Sequence, residues 1–146
     1  MIGGATLNLQ GHTVACANNG WGIQVIDATL KNGTIQGCKI GVIAGGSLVK
    51  RLTLANNNTG VAMTGEWFGG DNLIVNVLVK NGLGGFHVEE ANNNTFIDNI
   101  VQDTTGLGGF FLTESQGNTL IGNVAIRNRV GFLIGAGARV IASTLK

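Results

Sequence analysis

Six times this chain places a glycine before a bulky Val, Ile or Phe, then any residue and a second apolar residue. The units are Gly22-Ile23-Gln24-Val25, Gly41-Val42-Ile43-Ala44, Gly60-Val61-Ala62-Met63, Gly85-Phe86-His87-Val88, Gly109-Phe110-Phe111-Leu112 and Gly131-Phe132-Leu133-Ile134, and their glycines stand 19, 19, 25, 24 and 22 residues apart. Self-similarity at such a period marks a solenoid, in which each repeat buries its apolar face only by stacking on the next. Within a unit the alternation is that of a strand, so the second and fourth residues face one way and the third faces the other. Ile23, Val42, Val61, Phe86, Phe110 and Phe132 then form one inward column, with Val25, Ala44, Met63, Val88, Leu112 and Ile134 as its partner. Coils this short cannot hold crossover helices, which take about a dozen residues each. The expected fold is all-β, a right-handed parallel β-helix of six or seven short coils, with residues 1–146 as one domain.

Composition narrows the function. Pro and Tyr are absent and Gly contributes 25 residues, so Gly and Asn turns punctuate the apolar segments. A hydrophobic fraction of 44% against 12% charged residues excludes a disordered chain. Net charge is +1 with no basic cluster, which argues against a nucleic-acid partner. No apolar stretch approaches a membrane span, and Met1-Ile2-Gly3-Gly4 has neither the basic segment nor the apolar run of a secretory leader. Cys16 and Cys38 lie 22 residues apart, about one coil, which permits a disulfide between neighbouring rungs; their apolar neighbours favour two small buried thiols.

A second apolar segment follows each glycine unit. Ile74-Val75-Asn76-Val77, Ile97-Asp98-Asn99-Ile100 and Ile121-Gly122-Asn123-Val124 each place Asn two residues after Ile, so Asn76, Asn99 and Asn123 are expected to stack as a hydrogen-bonded column. A further column is expected from Asn94 and Asn118, with Asp71 in the equivalent place. The opening Leu7-Asn8-Leu9-Gln10-Gly11-His12-Thr13-Val14, the segment Leu30-Lys31-Asn32-Gly33-Thr34-Ile35, and repeats such as Asn94-Thr95-Phe96-Ile97-Asp98-Asn99 and Asn118-Thr119-Leu120-Ile121-Gly122-Asn123 resemble the pectin lyase-like superfamily. They are most similar to its short NosD-type repeats, also called carbohydrate-binding and sugar-hydrolase domains. The resemblance covers almost the whole chain and implies the β-helix, a polysaccharide as a partner, and a secreted or periplasmic location. It does not imply one activity, because the scaffold carries lyases, hydrolases, epimerases, adhesins and phage tail proteins. The catalytic groupings of its polysaccharide-active members are missing, and both ends lack a polar capping helix, so either the chain is a shortened member of its family or another subunit is expected to cover its ends.

The third residues of the glycine units, Gln24, Ile43, Ala62, His87, Phe111 and Leu133, form a largely apolar outward column. Two uses compete: a subunit interface centred on Ile43, Phe111 and Leu133, or a groove for a sugar or another apolar ligand walled by Trp67 and Phe68. The aliphatic Ile43 and Leu133 favour the interface, since they offer no flat ring. On the next turn Glu90 aligns with Glu114, with Glu89 and Glu66 near, and paired carboxylates are what glycoside hydrolysis needs. His87 is then the group placed for proton transfer. Arg127 and Arg129 offer guanidinium groups to an anionic sugar. The sequence therefore leads to a non-catalytic structural or binding module that forms a homo-oligomer, with no cofactor and no metal assigned. The alternative is a polysaccharide lyase or hydrolase using Glu90, Glu114 and His87.

Overall fold

Three short strands and three left-handed corners make up each full coil. The computed structural model describes residues 2–17, 20–65 and 70–146. One corner column runs through Asp27, Gly46, Asp71, Asn93, Gly117 and Gly137, the next through Asn32, Arg51, Asn76, Asp98, Gly122 and Ala142, and the third through Gly37, Asn56, Asn81, Asp103 and Arg127; all have positive φ. Gly, Asn and Asp accept that conformation at least cost, which is why they dominate the corners.

Between corners the strands stack in parallel. Face one is a seven-stranded sheet of β1 (Ile2–Gly3), β4 (Trp21–Ile26), β6 (Ile40–Gly45), β8 (Thr59–Thr64), β11 (Gly84–Glu89), β14 (Gly108–Thr113) and β17 (Phe132–Ile134). The remaining twelve strands form one sheet bent along the second corner. Its first limb, face two, holds β2 (Thr6–Asn8), the first halves of β5 (Thr29–Gln36) and β7 (Leu48–Ala55), then β9 (Leu73–Val75), β12 (Thr95–Ile97), β15 (Thr119–Ile121) and β18 (Arg139–Ile141). Its second limb, face three, holds β3 (Thr13–Ala15), the second halves of β5 and β7, then β10 (Leu78–Lys80), β13 (Ile100–Gln102), β16 (Val124–Ile126) and β19 (Thr144–Leu145). The result is an all-β parallel solenoid of about six turns, as the glycine repeat predicts.

Both inward columns read from the glycine units are in register across face one, Val42 with Val61, Val61 with Phe86, and Phe86 with Phe110. Phe86 stacks on Phe110 with centroids 4.9 Å apart, Phe110 stacks on Phe132 at 4.9 Å, and Phe96 meets Phe86 edge-on at 5.5 Å. The glycines that open the units have a steric cause. A β-carbon on Gly60 would lie 2.8 Å from the Gly85 carbonyl oxygen and 2.6 Å from Val79 Cγ1, and one on Gly85 would strike the Gly109 carbonyl oxygen and Val101. Ladder pairing skips these positions, passing from Gly84↔Gly108 to Phe86↔Phe110. Without a side chain there, face three packs its inward Val79 and Val101 directly against the backbone of face one.

The residue after a left-handed corner turns inward, and where it is Asn it is hydrogen-bonded to a neighbouring rung. Ser47 N–H donates to Asn72 Oδ1, Asn72 to Asn94 and Asn94 to Asn118, at 2.8–3.0 Å. On the second corner Val77 N–H donates to Asn99 Oδ1 and Asn99 N–H to Asn123 Oδ1. Two positions expected from sequence are thereby corrected. Asn76 is an exposed corner residue that aligns with Asp98, and Asp71 is the corner residue preceding Asn72. Matching Ile74 to Ile97 caused the first slip, since Ile74 pairs with the inward Phe96.

Cys16 and Cys38 are joined, with S–S 2.01 Å and Cα–Cα 5.0 Å, which corrects the reading as two thiols. Val14 pairs with Ile35, so the cysteines sit two and three residues further on, at the same corner of neighbouring rungs. Their apolar surroundings are those of a small buried disulfide as much as of two thiols.

Candidate functional site on face one

The outward column of face one is in register from Gln24 to Leu133, but it is not evenly open. Ile43 is 2% exposed and Ala62 5%, although neither belongs to the interior cluster that contains Val42, Ala44, Val61 and Met63. Ile43 thus points outward and is covered, so the expectation that it presents an open apolar surface is corrected. Alternation gives the direction of a side chain and says nothing about what lies over it. Toward the other end the column opens: His87 and Phe111 are half-buried and Leu133 is 46% exposed. Trp67 and Phe68, the expected wall, lie outside the described residues, as does Glu66.

Beside His87 is a cleft of about 350 Å³. Ile40 and Ala62 form apolar lining, Thr59 and Thr64 bring hydroxyls, and His87, Glu89 and Glu90 bring the titratable groups. His87 stands over Ala62, and Glu89 over Thr64, by the pairing of β11 with β8. One step further Glu90 falls beside Gly65, where an added β-carbon would lie 2.8 Å from Glu90 Cβ. The missing side chain at Gly65 is what gives Glu90 its place on the cleft rim.

His87 Nε2 and Glu89 Oε2 are 3.5 Å apart, with side chains 28% and 49% exposed, so their attraction is screened by water. The His87 ring meets Phe111 edge-on at 5.1 Å. Glu90 and Glu114 occupy equivalent corner positions on neighbouring rungs, with φ of 53° and 49°. Glu114 does not line the cleft; the structure instead groups His87, Glu89 and Glu90. Glu89 is read near Glu90 and His87 from the sequence; Thr64 is legible in principle, because it stands two residues beyond the outward position Ala62.

Glu89, Glu90 and Glu114 are all exposed. Among the described residues every buried side-chain nitrogen and oxygen has a hydrogen-bond partner, so the interior polar groups are committed to structure. Arg127 is also engaged: Nε and Nη2 donate to the two carboxylate oxygens of Asp103 at 2.7 and 2.8 Å. This bidentate pair holds the Asp103 carboxyl below its ordinary range and raises Arg127, so Arg127 is not the free guanidinium expected for an anionic sugar.

No curated protein and no solved structure matches this chain. The family described as periplasmic copper-binding protein (NosD) matches residues 6–142. Copper is ordinarily held by imidazole, thiolate or thioether groups. Here both cysteines form the disulfide, Met63 is fully buried in the core, and no three His, Cys, Asp or Glu side chains among the described residues gather as a metal set. His12 belongs to the first coil and His87 to β11, several rungs away. These residues do not compose a copper centre, and the likeness lies in the coils themselves: with its family match running from β2 to the last corner of the second column, the chain belongs to the NosD family of β-helical proteins.

Proposed function

We propose that this NosD-family chain is a non-catalytic binding module of an oxidising compartment, which uses the open part of face one, from the His87 cleft to Phe111 and Leu133, to engage a second copy of itself. The carrying observation is that Glu89 and Glu90 on the cleft are exposed, half-buried His87 lies 3.5 Å from Glu89, and two rungs along the same outward column apolar Leu133 is 46% exposed. Such a surface sets polar groups beside an apolar field, which is the make-up of a protein interface. The Cys16–Cys38 bridge supports a periplasmic or secreted location, since structural disulfides persist outside the reducing cytosol. The family's description as periplasmic points the same way.

A polysaccharide is the second reading, favoured by the Thr59 and Thr64 hydroxyls next to the carboxylates. Light scattering on the wild type and on Phe111→Glu and Leu133→Glu separates the two. Self-association lost in both variants, with circular dichroism unchanged, supports the module. Hydrolysis or elimination of a polysaccharide that Glu90→Gln abolishes would sink it.

A further inference from the structure

We infer that the bent second sheet is the surface on which another copy docks the acidic edge of its face one; this rests on the self-association reading above and names the opposing surface. The net charge of +1 conceals a segregation. Glu89, Glu90, Glu114 and Asp71 lie at or beside the corner between faces one and two, whereas Lys31, Lys50 and Arg51 lie on face two and the second corner, where the one carboxylate among the described residues, Asp98, stands two rungs beyond Arg51. Lys31 and Lys50 are direct ladder partners, so two like charges stand one strand spacing apart, about 4.8 Å. Among the described residues the ion pairs are His87–Glu89 and Arg127–Asp103, which leaves the Lys31–Lys50–Arg51 group without a carboxylate of its own chain.

On later rungs the same outward columns become apolar. Lys50 is followed by Val75 and Ile97, and Thr53 by Leu78 and Ile100. These four apolar residues are half-buried or exposed and stand outside the interior cluster. A charged margin beside an apolar field is the composition of a protein interface. Charge complementarity selects the occupant, and period strengthens the choice. A second copy carries carboxylates on successive rungs, Glu90 and Glu114, at the same spacing as Lys31 and Lys50. The two surfaces differ, so the contact is heterologous and builds rings or chains.

The test is sedimentation of the full chain at low and physiological salt, with two charge-reversed forms, Lys31→Glu/Lys50→Glu and Glu89→Lys/Glu90→Lys, alone and mixed. Wild type is expected to exceed 15.0 kDa in a concentration-dependent way, to weaken about tenfold between the two salts, and each variant alone to be monomeric. Because each form retains one intact surface and the two reversed surfaces are complementary to each other, an equal mixture is expected to regain association. A monomeric wild type at low salt overturns the inference, as does association that the lysine reversals leave unchanged. The two ideas part in one result: association lost in Glu89→Lys/Glu90→Lys but kept in Lys31→Glu/Lys50→Glu preserves the role of face one and removes the second sheet as its partner.

Discussion

Asn94 Oδ1 accepts two hydrogen bonds from Asn72, one from the backbone N–H at 3.0 Å and one from Nδ2 at 2.8 Å. Its own Nδ2 donates to the Ala91 carbonyl and to Asn118 Oδ1. One fully buried amide therefore joins three rungs. Asn94→Ala leaves the buried Asn72 backbone N–H unpaired, an orphan that costs about 1–3 kcal/mol, and removes the other hydrogen bonds of the amide, while the Ala91 carbonyl keeps its bond from Asn118 Nδ2. The expected loss is about 2–5 kcal/mol in urea unfolding followed by circular dichroism, against less than about 0.5 kcal/mol for the exposed Asn92→Ala after correction for its single bond to Gln116.

Gly85→Ala tests the close approach on face one. Its β-carbon would meet the Gly109 carbonyl oxygen and Val101, and neither a ladder backbone nor a buried valine can retreat freely. A loss of about 3 kcal/mol or more is expected. Adding Val101→Ala relieves only the side-chain half of the clash, so a double variant as stable as Val101→Ala alone would contradict the backbone explanation.

The disulfide closes a loop of 22 residues, for which about 2–4 kcal/mol of stabilisation is expected. Reduction, or Cys16→Ser with Cys38→Ser, is expected to lower the melting temperature and to raise hydrogen exchange first in β2 and β3. Uniform exchange along all coils would show that the bridge does not hold the first rung in particular.

Asp103 and Arg127 make a prediction with a definite sign. The Asp103 carboxyl is lowered from 3.8 in the folded chain, chiefly by its hydrogen bond from Arg127. Its contribution is present above the unfolded carboxyl value and is lost as pH falls through the lower folded value. Carbon-13 NMR of the Asp103 carboxyl is expected to titrate below 3.8, and Arg127→Gln to move that midpoint upward. An unchanged midpoint in Arg127→Gln would remove the guanidinium as the cause.

The parts of the fold that follow from alternation are legible in the sequence, and those set by corners are less so. Val42, Val61, Phe86 and Phe110 could be placed in one column because strand direction repeats every two residues. Asn76 and Asp71 were misplaced by one residue because a left-handed corner interrupts that count, and both stand at such a corner. At the site, His87 and Glu90 emerge from the pattern, whereas the cover over Ile43 depends on three-dimensional neighbours that no spacing encodes. The Cys16–Cys38 bond was open to either reading, since the geometry that permits a bridge also fits two adjacent thiols.

The carbonyl that fills the place of a side chain at Gly85 belongs to the equivalent glycine of the following turn. From Gly22 to Gly109 each turn thus presents its successor with the same socket, so insertion or loss of a complete turn reproduces the joint, whereas insertion or loss of a single residue on face one breaks it. Length in such a molecule is quantised: it grows or shrinks in steps of about 4.8 Å. A protein assembled this way can act as a ruler whose graduations are the outward residues, free to vary turn by turn because none of them forms the joint.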